Sequence, residues 1–441
     1  MDSIDRILDK CIRAGAEMAE VFNLSQKTLS ISVRDGKVET IKKATPGGLA
    51  IRFFSFGKSA FAHTTDISNS SIDRIISRLS RLAKKTGKDE FATLPIPQNY
   101  EQNLDIYDTS FVDLLVEDKI DFLLTLEEIA LKYDPLIKKS NGVSYNETIT
   151  THMLVNSNGV RLSYDSTLYQ VWISVVASKR GEMYPGEGHL SARHFRDLPK
   201  SEKIVEQFAS KAVRLIGGTP IAGGDYEIIF TPDAANSLLW GLSYALNGEN
   251  SLKGSSFLAG KEGTKIAVND FTVYDDALMP RGIASRPADD EGTASMKLAL
   301  LKDGVLHGFM YDAKNAAKAK VNSTASAYRD DYNSFPDISP SNFYIAPGNS
   351  RVEDVVASCK KGIIVEDTQG WGLHSVTGQY SAGINGILVQ NGRWIKPVAN
   401  VTIAASADEI LNGLVAICDD ITFYRKFNSP TLMIKRMTVG A

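Results

Sequence analysis

A chain of 441 residues with 43% apolar and 23% charged residues has the composition of a soluble globular protein and is long enough for two or more domains. The formal net charge of −3 and the short, mixed basic runs ("IKKAT", "AKKTGKDE", "SCKKG") exclude a polyanion-binding surface by composition, so no nucleic-acid partner is expected. Three cysteines, Cys11, Cys359 and Cys418, lack the close spacing of a metal knuckle and fit a reducing cytoplasm rather than a disulfide framework.

The N-terminal stretch "MDSIDRILDKCIRAGAEMAE" predicts an amphipathic helix with Ile4, Ile7, Leu8, Cys11 and Ile12 on one face. It has no apolar core of a signal peptide. No run of about 18 apolar residues occurs anywhere, so no membrane span is expected. "LSISVRDGKVETI" alternates Leu29, Ile31 and Val33 with serines, then turns at Asp35-Gly36, a strong hairpin signal. "GGLAIRFFSFGKSAFAHTT" repeats the pattern around Gly57. A second amphipathic helix carries Ile72, Ile75, Ile76, Leu79 and Leu82. The proline-broken connector "TLPIPQNYEQNLDIYD" follows, then a third helix from about Phe111 to Lys132. Residues 141–195 read as strands with a hairpin at Asn158-Gly159. "SEKIVEQFASKAVRLIGG" reads as a helix stopped at Gly217-Gly218.

"TPIAGG" reads as a linker, which divides the chain into residues 1–216 and 217–441. The second part is richer in strands: "YEIIF", "FTVYDD", "SMKLALLKDGVLHGFMYD", "NFYIAPG", "GIIVED", "GINGILVQNGRWIKPVANVTIAAS" and "TLMIKRMTVG". Asp303-Gly304 and Asn391-Gly392 mark tight hairpin turns. Helices are expected over about 233–246, 314–320 and 406–417. The predicted class is therefore α+β. The N-terminal part combines helices with an antiparallel sheet, and the C-terminal part is a strand-rich, antiparallel, barrel-like domain with a few helices.

Three segments concentrate chemistry. "RPADDEG" sets Arg286, Asp289, Asp290 and Glu291 beside Gly292. Adjacent residues of an extended segment point apart, which argues against a catalytic dyad of Asp289 and Asp290. "TQGWGLHSVTGQYSAGING" gathers glycines, Gly383 and Gly386 among them, with Trp371, His374 and Tyr380. It lacks the lysine-containing pattern of a phosphate-binding loop. It reads either as tight turns or as a surface that lets a peptide backbone approach closely. His189 and His194 lie five apart, on opposite faces of a strand, and do not suggest a metal pair.

Six blocks in series resemble the TldD/PmbA family. They are "LSISVRDGKVETI", "GGLAIRFFS", "SAFAHTTD", "RPADDEGTASMKLALLKDGVLHGFMYD", "GQYSAGINGILVQNGRWIKPVANVTIA" and "PTLMIKRMTVGA". The resemblance covers nearly the whole chain. It implies paired, related subunits acting on peptides: a TldD type that is a zinc peptidase, and a PmbA (TldE) type without the zinc site. The TldD-type site uses a His-Glu-x-x-x-His helix and a C-terminal cysteine, which hold zinc and leave a position for water. Matching "LLWGLSYALNGEN" to that helix by its leading Leu-Leu pair puts Trp240 and Ala245 at the histidine positions and Gly241 at the glutamate. The segment "ITFYRKFNSPTLMIKRM" carries no matching cysteine.

The resemblance therefore implies a PmbA (TldE)-type subunit with no catalytic, cofactor-binding or metal-ligating residue of its own, cytoplasmic, and inactive alone. Its partner would be a TldD-type zinc peptidase subunit in a heterodimer, or a second copy in a homodimer, and its substrate a peptide or unfolded chain. Arg286, Asp289, Asp290, Glu291, His374, Tyr380, Gly383 and Gly386 are the expected substrate-channel residues. A stand-alone hydrolase and a modulator of DNA gyrase, the older family description, are the alternatives.

Overall fold

The computed structural model describes residues 1–440. Helix α1 (Asp2–Arg13) buries Ile4, Ile7, Leu8 and Cys11. Ile12 is 41% exposed, contrary to the expectation. Eight residues of helix after Ile4 bring it about 80° round the axis, beyond the edge of the buried stripe.

Four strands follow: β1 (Met18–Arg34), β2 (Lys37–Ala44), β3 (Gly47–Ser55) and β4 (Lys58–Thr64). The turn at Asp35-Gly36 has φ of 51° and 69° at its two residues, the mirror-image geometry expected of a two-residue hairpin. Val38 and Ile41 on β2 are 40% and 50% exposed. Helix α2 (Asn69–Ala83) buries Ile72, Ile76 and Leu79, and Ser68 caps it by accepting a bond from the Ser71 amide. Helix α3 (Val116–Lys132) begins later than Phe111, because Thr109–Asp113 forms a separate 3-10 turn capped by Asp108.

Three long strands complete the sheet: β5 (Ile137–Asn156), β6 (Arg161–Lys179) and β7 (Glu182–Ala192). The turn at Arg180-Gly181, φ 53° and 88°, was not marked by any pattern in the sequence. The strand order is β4-β3-β1-β5-β6-β7 with β2 added on β1, and every pairing is antiparallel. Helices α3 and α4 (Ser201–Leu215) share a core with Ile31, Tyr145, Tyr169 and Val171. Helices α1 and α2 cover the other end, over Val21, Ile51 and Phe53.

The second half runs β8 (Gly224–Phe230), α5 (Asn236–Ala245), α6 (Gly248–Leu252), β9 (Val273–Asp276), β10 (Lys297–Lys302), β11 (Val305–Leu306) and α7 (Ala313–Ala319). Then come β12 (Ala327–Tyr328), β13 (Asp337–Ile338), β14 (Phe343–Ile345), α8 (Val352–Ser358), β15 (Lys361–Leu373), β16 (Gln379–Gln390) and β17 (Arg393–Ser406). The chain ends with α9 (Ala407–Asn412), β18 (Leu414–Ile417), β19 (Phe427–Asn428) and β20 (Leu432–Gly440).

Strands β17-β16-β15-β8-β20 form a continuous sheet that closes through pairing of β17 with β20, so this part is a barrel and the class is α+β as expected. Closure removes the unpaired edges that an open sheet would present. The sheet is not wholly antiparallel. β8 pairs with β15 in parallel, as β14 does with β19. The long excursion between β8 and β15 supplies the crossover that a parallel pair requires. The helix expected over 406–417 stops at Asn412, and 414–417 is the strand β18.

Two polar clusters tie the halves together. Glu366 and Asp367 on β15 meet α4 and β7: Arg214 donates to Glu366 at 2.9 Å, Tyr184 Oη donates to Asp367 at 2.7 Å, and Lys211 pairs with Asp367. On the opposite side Arg52 on β3 donates to both oxygens of Glu20 on β1 (2.9 and 2.5 Å) and to Glu291 at 2.8 Å. Arg329 adds a 2.5 Å bond to Glu20. All four side chains are buried.

Candidate functional site

A cavity of about 370 Å³ lies between the first sheet and the loops of the second half. Side chains two apart on a strand share a face. Phe22, Leu24 and Gln26 of β1, Thr148, Thr150 and His152 of β5, and Tyr164, Ser166 and Leu168 of β6 thus form one wall. His152 stands opposite Tyr164 in the ladder, and the rings stack at 4.6 Å and 8°. Burial pushes the imidazole down to about 4, so it is neutral at ordinary pH, and its Nδ1 has no hydrogen-bond partner.

Cations make the opposite wall. Arg193, at the end of β7, donates to the carbonyls of Gly282, Thr167 and Ser285. Burial brings its pKa down to about 10. Arg286 reaches Asp290 at 3.6 Å and the Ala325 carbonyl at 3.3 Å, and its Nε has no partner. Lys426 donates to Ser339 Oγ at 2.8 Å and lies 4.7 Å above the Tyr328 ring. Burial, followed by repulsion from Arg286, lowers its pKa to about 8. Arg329 is neutralised by Glu20 and donates to the Asp290 carbonyl.

The "RPADDEG" residues divide by role. Arg286 and Asp290 line the cavity. Asp289 turns into the loop, where its carboxylate accepts from the amides of Glu291, Thr293 and Ala327. Burial and the neighbouring Glu291 nonetheless raise its pKa to about 7. Glu291 belongs to the Arg52 cluster and also accepts from the Ala313 amide at the start of α7.

A second cleft, of about 460 Å³, shares Tyr328, Asp330, Pro340 and Lys426 with the first. Its far end is α5. Trp240 is 50% exposed there, 5.3 Å from the Tyr244 ring and 5.9 Å from Phe427. Gly241 faces the other way: a Cβ on it would stand 2.0 Å from the Leu373 carbonyl oxygen. Ala245 is fully buried in the barrel core.

This donor set does not fit zinc, since an indole, a hydrogen and a methyl group offer no ligand atom. Cys418, the cysteine nearest the C-terminus, packs in a different cluster from α5, and burial pushes its thiol up to about 12. Among the described residues no group of three or more His, Cys, Asp or Glu could hold a metal ion.

The glycine-rich segment is two barrel strands rather than a loop, with only 374–378 between them. His374 is exposed, its Nδ1 accepting from the Thr377 amide, and it lines a separate cleft with Gly383. Tyr380 is buried in the barrel, where its hydroxyl and that of Ser237 are 2.8 Å apart. Neither Gly383 nor Gly386 has positive φ. A Cβ at Gly386 would lie 2.1 Å from the Ile364 carbonyl, whereas one at Gly383 would find nothing nearer than 3.7 Å. The expected channel residues are thus in different places, and those in the inter-sheet cavity are Arg286 and Asp290. Sequence reasoning passed over His152, Tyr164, Arg193, Tyr328, Arg329 and Lys426. The signal available was polar side chains at alternate positions of β5 and β6, where a two-sided core would place apolar ones.

Three family models match the chain in series. They are PmbA/TldA metallopeptidase domain 1 over residues 19–83, the central domain over 110–216 and the C-terminal domain over 223–441. The Metalloprotease PmbA homolog of Haemophilus influenzae is 26% identical over 432 residues, covering 97% of this chain and 93% of the relative. Metalloprotease PmbA of Escherichia coli O157:H7 is 24% identical over 448 residues, covering 99% and 96%. Among solved structures, TldE from Thermococcus kodakarensis superposes with a TM-score of 0.90 at 20% identity, over 100% of both chains. A Bacteroides thetaiotaomicron protein put forward as a modulator of DNA gyrase gives 0.91 at 24% identity, over 100% of this chain and 98% of that one. At these identities the structural matches establish the fold.

Proposed function

Because the chain belongs to the PmbA/TldD metallopeptidase family, we propose that it is the PmbA (TldE)-type subunit, which shapes a peptide-binding cavity and leaves metal chemistry to a TldD-type zinc subunit. The observation that carries this reading is α5. At the matched positions stand Trp240, facing a cleft, Gly241, packed against the Leu373 carbonyl, and Ala245, inside the core. A glutamate at Gly241 could not point into the cleft without moving β15. The two clefts share Tyr328, Asp330, Pro340 and Lys426 in their walls, and in this reading an extended chain would run past Trp240 toward Arg286. The setting is cytoplasmic in this reading; no helix among the described residues is long and apolar enough to cross a membrane.

A gyrase-modulating role exerted through direct DNA binding finds less support. The net charge of −3 is a poor match to DNA, whose binding rests on clustered lysine and arginine.

The test is metal analysis and peptidase assay of the purified chain, alone and mixed with the TldD-type subunit of the same genome. Expected are far less than one zinc per chain, no peptidase activity alone, and a complex with activity on mixing. Peptide hydrolysis by the chain alone with about one tightly held zinc would overturn the proposal in favour of a stand-alone hydrolase.

A further inference from the structure

The cavity between the first sheet and the second half is lined by four cationic side chains, Arg193, Arg286, Arg329 and Lys426, against two carboxylates, Asp290 and Asp330. Among the described residues, neither Arg193 nor Lys426 has a carboxylate within ion-pair distance. The carboxylate within ion-pair distance of Arg286 is Asp290, at 3.6 Å, and the guanidinium's other bond is to the Ala325 carbonyl. The nearby carboxylates are committed or distant. Asp290 accepts from the Arg329 amide at 2.7 Å, Asp275 accepts from the amide and hydroxyl of Ser341 at 2.6 Å each, and Asp330 sits on the exposed rim. A buried cation without a close carboxylate costs free energy that a bound anion would offset. Phe22, Leu24 and the Tyr164 ring supply an apolar floor beside these cations. The cavity is of the size that takes one or two residues of a ligand.

We infer that this cavity is a carboxylate-recognition subsite, in which Arg286 and Lys426 hold a carboxylate of a bound peptide while the chain leaves through the Trp240 cleft. The inference rests on the reading of the protein as a peptide-binding subunit. Arg286 brings a guanidinium that lines the cavity, Lys426 offers the ammonium protons that Ser339 does not take, and Arg193 adds a third cation to the lining. A phosphate fits less well, because the wall around Arg286 is side chains and carbonyls rather than a run of backbone amides. The carboxylate could be the free C-terminus of the peptide or an acidic side chain.

Calorimetric titration of the full chain distinguishes these sources. The probes are Ala-Ala-Leu with a free C-terminus, its C-terminal amide, the amidated peptide Ala-Glu-Leu, and inorganic phosphate. If the site reads the C-terminus, the free acid binds at least about tenfold more tightly than its amide, the worth of one charge-assisted pair. If it reads a side chain, the amidated glutamate peptide shows that advantage over the amidated Ala-Ala-Leu. Lys426→Met is expected to remove most of the difference between the free acid and its amide. Arg286→Met should do the same, and a thermal melt shows whether its loop has survived; should it not, Lys426→Met alone decides. Equal binding of acid and amides, or binding of phosphate alone, overturns the carboxylate subsite and leaves the peptide reading standing. Failure of every peptide to bind, with or without the TldD-type subunit, overturns both.

Discussion

Burial lowers the pKa of Lys426 from 10.5 to about 8, with Arg286 pushing the same way and Asp275, Asp330 and Asp290 opposing it. The other groups around the ammonium, Tyr328 and Ser339, carry no charge at neutral pH. The protonated fraction therefore falls as pH rises through about 8. Affinity for the carboxylate probe is expected to drop between about pH 7 and about pH 9, and a bound anion shifts the drop upward by favouring the charged form. Titrations of Lys426→Met at the same two pH values should show no such drop; an equal drop in the variant would place the titrating group elsewhere. The sign for folding is the reverse of an ordinary ion pair. Between about 8 and 10.5 the unfolded chain binds the proton that the folded chain has released, so this residue makes the fold more stable as pH rises across that window.

The elements are held apart or together by single glycine hydrogens, and substitutions there separate packing from function. Gly241→Ala would put a methyl group 2.0 Å from the Leu373 carbonyl, and Gly386→Ala would put one 2.1 Å from Ile364. Each is expected to cost about 1–3 kcal/mol, the range for overpacking. Gly383→Ala meets only open contact at 3.7 Å and should leave stability near that of the parent. Denaturant midpoints of the three variants check this, and equal midpoints for Gly383→Ala and Gly386→Ala would remove the distinction.

Much of this architecture was legible beforehand because it is written in short-range patterns. Asp35-Gly36, Asp303-Gly304 and Asn391-Gly392 fall at turns with positive φ at both residues. Ile72, Ile76 and Leu79 line up because a buried helix face must recur at three and four. Patterns of that range fail where the partner is remote. The glycines of "TQGWGLHSVTGQYSAGING" look like turns until the segment is seen folding back on itself, with Gln369 opposite Gly383 and Gly372 opposite Ser381. The parallel pairing of β8 with β15 joins residues more than a hundred positions apart. Arg193 and Lys426 look like isolated surface charges in the sequence, and only the fold turns them toward Arg286.

At the scale of the molecule the Glu20–Arg52–Glu291–Arg329 cluster is one of the two charged joints between the halves. Arg52 is the member that touches both carboxylates, and their attraction raises its pKa despite burial. Removing it leaves the two acids unequal. Glu20 keeps Arg329 at 2.5 Å, whereas Glu291 keeps only the Ala313 amide at 2.9 Å. Arg52→Met is therefore expected to destabilise the protein by about 3–5 kcal/mol, the cost of breaking a buried pair and stranding one partner. Most of that cost should come from Glu291. Adding Glu291→Gln removes the stranded charge, while the new amide oxygen still accepts from Ala313. The double variant should then recover a large part of the loss, so that the two substitutions are strongly non-additive in a double-mutant cycle. Equilibrium unfolding of the parent, the two single variants and the double variant measures this directly. Additive losses would mean that Arg52 acts through Glu20 alone, and that the joint is held from the side of the first sheet rather than across it.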